Sequence, residues 1–142
     1  MTRTSDMEFN FEKPLPIRQA LHLLQESSLT FTRSDQVSFV IDHDKMFDWT
    51  NGSAAHLDTI IDEADRADPA STTFGITSYF GSSAHGGDLL FHPGRREISF
   101  MVTVDKRTLP GSRFCDFGWY LGRLVPPLEQ LGLVELTATD IR

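Results

Sequence analysis

The sequence predicts a single α+β domain over residues 1–142: a mainly antiparallel β-sheet with about three helices packed on it. Three observations carry that expectation. First, 142 residues is the length of one ordinary domain with a real core. Second, Ile98, Phe100, Val102 and Val104 alternate with Glu97, Ser99, Met101 and Thr103, the period of two of a strand with one face on a core. Third, several other segments place apolar residues at the three- and four-residue spacing of amphipathic helices.

In chain order, residues 1–7 are expected to be disordered, and Glu8 to Phe11 to form a short strand ended by Pro14 and Pro16. Ile17, Ala20, Leu21 and Leu24 then mark a helix running to about Glu26, with Pro16 suited to its first turn. Val37 to Ile41 is dense in β-branched residues and reads as a strand, followed by a polar Asp42-His43-Asp44 loop. Met46 to Trp49 is a short apolar patch that reads as a further strand ending at an Asn51-Gly52 turn. Ser53 caps a helix with Ala54, Leu57, Ile61 and Ala64 on one face and Asp58, Asp62 and Asp65 on the other; Asp68-Pro69 ends it.

Phe74 to Phe80 opens a β-rich stretch. Gly81 to Gly87 reads as a flexible loop, Leu89 to Phe91 as a strand, and His92-Pro93-Gly94-Arg95 as a type II turn before the strand at 97–104. After a turn at Pro110-Gly111, Ser112 is expected to cap the longest helix. Its stripe is Phe114, Phe117, Leu121, Leu124, Leu128 and Leu131, with a kink or restart at Pro126-Pro127 and close approach to the sheet at Gly118 and Gly122. Gly132 ends it, and Leu133 to Thr137 returns as a strand.

A hydrophobic fraction of 39% and a mean hydropathy of −0.23 argue against a disordered chain. No apolar run approaches the ~20 residues of a membrane helix, so no membrane partner is expected. With the single Cys115 and no secretory segment, a reducing cytoplasm is the expected home. The net charge is −7, and Asp42 to Asp68 holds eight carboxylates against Lys45 and Arg66, a net −6. Such a balance argues against nucleic acid, whose binding rests on clustered cations, and for a basic partner.

Catalytic and metal-binding constellations are weak. Asp42-His43-Asp44 lacks the ligand spacing of a structural metal site. The glycines at 81–87 fit neither phosphate-binding fingerprint. Cys115 lies beside an apolar stripe, as core cysteines do. His85, Asp88 and His92 could converge across a hairpin, which leaves a ligand-binding or enzymatic domain with residues 81–87 as a lid as one alternative. No cofactor is called for.

A hairpin strand, a long aromatic-rich helix and then Leu-Glu-Gln-Leu-Gly-Leu-Val-Glu-Leu at 128–136 is similar to the C-terminal pattern of small bacterial immunity proteins. Those neutralise polymorphic or contact-dependent toxins and are acidic, cytoplasmic α+β domains without a catalytic site. The resemblance implies a non-enzymatic chain that covers the basic cleft of a cognate toxin. Candidate contacts are Asp58, Asp62 and Asp65 on the helix, Asp42, Asp44 and Asp48 in the loop, Trp49 and Tyr79 as aromatic anchors, and His85. An oligomeric adaptor pairing through exposed strand edges is the other alternative, and a homo-oligomer stays open.

Overall fold

The computed structural model describes residues 4–141. Eight strands and three helices follow in the order β1 (Thr4–Phe11), α1 (Ile17–Glu26), β2 (Leu29–Thr30), β3 (Gln36–Asp42), β4 (Thr50–Ser53), α2 (Leu57–Arg66), β5 (Thr73–Phe80), β6 (Gly86–Phe91), β7 (Glu97–Val104), α3 (Phe117–Glu129) and β8 (Leu133–Ile141). All pairings are antiparallel, in the spatial order β4-β3-β5-β6-β7-β1-β8, with β2 added to β5. This is the α+β class the sequence predicts.

Register explains the core. Residues directly opposed on neighbouring strands share a face, so two apolar rows cross five strands. One runs Met7, Phe100, Leu89, Ile76, Phe39; the other runs Phe9, Ile98, Phe91, Phe74, Ile41. The helices cover these rows, α1 with Ile17, Ala20, Leu21 and Leu24, α2 with Ile60, Ile61 and Ala64, and α3 with Tyr120, Leu124 and Leu128. Each large side chain withdrawn from water there contributes about 1.5–3 kcal/mol. On the opposite, open face the corresponding row is Val40, Gly75, Leu90, Ser99, Glu8 and Thr137.

Several expectations need correction. The first strand begins at Thr4, so Ser5 pairs with β8 and Asp6 and Met7 pair on both sides instead of being disordered; Met1 to Arg3 lie outside the described residues. Asn51-Gly52 lies inside β4, not in a turn, because the chain has already reversed through 43–49, where Lys45 and Phe47 take φ of 66° and 51°. Gly86 and Gly87 belong to β6. A Cβ on Gly86 would sit 2.3 Å from the Ser78 carbonyl oxygen, and one on Gly87 2.2 Å from that of Met101. These glycines permit close strand approach; they do not loosen a loop.

The long helix starts five residues later than its expected cap. Ser112 Oγ accepts from Phe114 N within a tight loop, while Asp116 Oδ1 accepts from Trp119 N and caps α3. Its buried stripe centres on Tyr120, which is fully enclosed, whereas Phe114 lies outside the helix and is 41% exposed. Pro126 and Pro127 sit within its last turn, so the helix neither restarts nor ends at them but at Glu129. Gly118 and Gly122 do not face the sheet: a Cβ on Gly122 would meet nothing within 4 Å. The turn at 92–95 forms as expected, with Arg95 N donating to His92 O and Gly94 at φ 89°.

Candidate functional site

The exposed loop between β3 and β4 is braced from within. Asp42, buried at the end of β3, accepts from Phe47 N at 2.9 Å through one carboxylate oxygen and from Lys45 N at 3.0 Å through the other. Asp44 Oδ1 accepts from Met46 N at 3.0 Å. Three consecutive amides are thus fixed by two carboxylates, which supports the left-handed backbone at Lys45 and Phe47. Burial pushes the Asp42 carboxyl up, but the Phe47 and Lys45 N–H groups and Asp44 outweigh it and hold it below the usual range.

The anchoring turns apolar side chains outward. Met46 is 67% exposed, Phe47 42% and Trp49 38%, with Asp44 and Asp48 exposed beside them. Trp49 also reaches the open face of the sheet. Its Cη2 lies 2.8 Å from where a Cβ on Gly75 would stand, between Val40 and Leu90. Only a glycine at that point in β5 leaves room for the indole, so the sheet seats the base of the loop.

The nine candidate contacts do not form one surface. Asp44, Asp48 and Trp49 share the loop, and Asp42 is its internal brace. Asp58 and Asp62 flank Arg18 of α1 at 2.7 and 2.6 Å, and Asp65 accepts from Ile17 N at 3.1 Å. The acidic stripe of α2 is therefore half committed to joining two helices, although Asp58 remains 80% exposed. Tyr79 and His85 lie at the far end of the strands. Arg33 stacks over the Tyr79 ring at 4.0 Å, and His85 Nδ1 lies 2.5 Å from Asp105 O.

That far end holds a second cluster the sequence reading missed. Trp119 packs edge-on against Phe80, Tyr120 and His85, with Arg123 stacked 3.9 Å above its ring and Arg107 at 5.3 Å. Only the i, i+4 spacing of Trp119 and Arg123 hinted at it. His85, Asp88 and His92 do not converge: Asp88 accepts from Thr77 and His92 pairs with Ser99. Among the described residues no group of three His, Cys, Asp or Glu is placed to hold a metal. Cys115 is buried, and that burial, with the Asp140 charge nearby, pushes its thiol up to about 11.

Compared with protein families, curated proteins and solved structures, the chain shows no match.

Proposed function

We propose that the chain is a protein-binding module, an immunity protein that neutralises a cognate bacterial toxin domain by covering its active site. The observation that supports this reading is the braced β3–β4 loop, which offers Met46, Phe47 and Trp49 beside the carboxylates of Asp44 and Asp48. Apolar anchors inside a polar rim are the anatomy of an interface hot spot. Fixing them beforehand lowers the ordering cost of association. The complementary partner carries an apolar pocket ringed by Lys and Arg, as an anion-handling toxin cleft would.

The exposed carboxylates speed encounter, and the aromatic tip sets the lifetime of the complex. Asp58 adds to the same field from α2, whereas Asp42 acts only through the loop it braces. The test is co-purification with the candidate toxin, with growth rescue as the functional readout. Phe47→Ala together with Trp49→Ala is expected to weaken binding by roughly 100-fold, about 2–3 kcal/mol. Asp44→Lys with Asp48→Lys should slow association and remove most of its salt dependence. Wild-type affinity in both pairs would place the interface elsewhere.

A further inference from the structure

We infer that the outer edge of β8 is a homodimer interface, taken by β8 of a second copy in antiparallel register. It stands apart from the toxin-binding reading. The edge comes first. β8 pairs with β1 on one side only, and among the described residues no strand pairs on its other side. Such an edge presents a row of backbone donors and acceptors that another strand fits. Natural edges are guarded by charge, a bulge or a short length. β8 is nine residues long, and its single bulge lies at its start, opposite Asn10 and Phe11. Of its two carboxylates, Asp140 is turned inward to Ser5 Oγ and Cys115 N, and Glu135 accepts from Asn10 Nδ2 of β1 at 3.2 Å, so neither guards the outer edge.

The flanks select the occupant. At the start of β8 a cavity of about 300 Å³ opens between α3 and the strand, lined by Val125, Glu129, Leu133, Val134, Glu135 and Leu136. Val134 in this lining is 65% exposed. At the far end, on the same side of the sheet, the hairpin loop at 107–116 is tied to the strand through Cys115 N and Asp140. It exposes Leu109 (44%) and carries Arg113, while Arg107 at its base is held by Asp116 and Trp119.

Antiparallel pairing is reciprocal. A two-fold axis through Thr137 pairs all nine residues and brings each copy's loop to the other's cavity. Leu109 then meets the apolar lining, and Arg113 approaches Glu129. Glu135 faces the partner's Thr139, so no two carboxylates oppose each other.

Sedimentation of the full chain over a range of concentrations tests this. The expected species has twice the 16.0 kDa chain mass at high concentration. Val134→Lys with Leu136→Lys is expected to restore the chain mass with an unchanged circular dichroism spectrum. Both sites are exposed, and lysine is a natural edge guard. Under mild oxidation Thr137→Cys should give a disulfide-linked dimer, because directly opposed strand residues have Cα atoms about 4.5–5.5 Å apart. Glu135→Cys should not. A wild-type chain that stays at 16.0 kDa throughout, a dimer that survives the double lysine change, or equal cross-linking at 135 and 137 would overturn the inference.

Discussion

Asp42 shows how much one residue organises. Its depressed carboxyl makes the loop pH-sensitive in a definite direction. A group whose folded pKa lies below its unfolded value stabilises fully above the unfolded value, about 3.9, and loses that contribution as pH falls through the folded one. The 43–49 loop is therefore expected to loosen in acid before the sheet does. In a Trp119→Phe background, Trp49 emission should shift to the red below the usual carboxylate range, and Asp42→Ala should show that shift at neutral pH. Unchanged emission in Asp42→Ala would mean that the loop needs no brace. Cys115 runs the other way: its thiol is pushed from 9.0 to about 11, so the native chain should resist alkylation at pH 8 and react only once unfolded. The sequence placed Cys115 on the apolar side correctly, from its neighbours alone. It could not show Asp42 as a brace, because the amides it binds lie three and five residues on, in a backbone no propensity favours.

At the scale of elements, legibility followed how local the cause was. The strand at 97–104 and the helix at 17–26 match their expected bounds, since alternation and apolar stripe are written into those residues themselves. The start of α3 was misplaced because Ser112 and Asp116 are both acceptable caps. The choice falls to tertiary contacts, Cys115 N on Asp140 and Arg107 N on Tyr120 Oη. Glycines were misread for the same reason: one inside a strand looks like a flexible one until its neighbours are placed. Two substitutions separate these roles by sign. Gly87→Ala drives a methyl into the Met101 carbonyl and should cost about 3 kcal/mol. Gly122→Ala, at an exposed helical site with open space, should gain roughly 0.5–1 kcal/mol. Thermal melts of both variants check the pair, and a gain at Gly87 would contradict the strand geometry.

For the molecule as a whole, charge is divided by position. The acidic excess read from the sequence gathers at the β3–β4 loop and α2, while guanidinium groups of Arg33, Arg107 and Arg123 stack on aromatic rings where β5 ends and β6 begins. Composition announced the first grouping. The second gathers Arg33, Arg107 and Arg123 from segments far apart in the chain, and only the i, i+4 spacing of Trp119 and Arg123 hinted at it. The same remoteness governs kinetics. Most pairings join distant segments, so refolding from denaturant is expected in the millisecond-to-second range and not in microseconds. A microsecond phase carrying the full amplitude would contradict that.

The position of β1 between β7 and β8 has a consequence for synthesis. Its partners are residues 97–101 and 133–141, so when β1 leaves the ribosome nothing yet exists for it to pair with. Met7, Phe9 and Phe11 must wait until those later residues have been made, exposed or held by a chaperone. A nascent chain arrested before residue 133 would therefore leave one side of β1 unpaired, an adhesive edge that β8 covers once it is made.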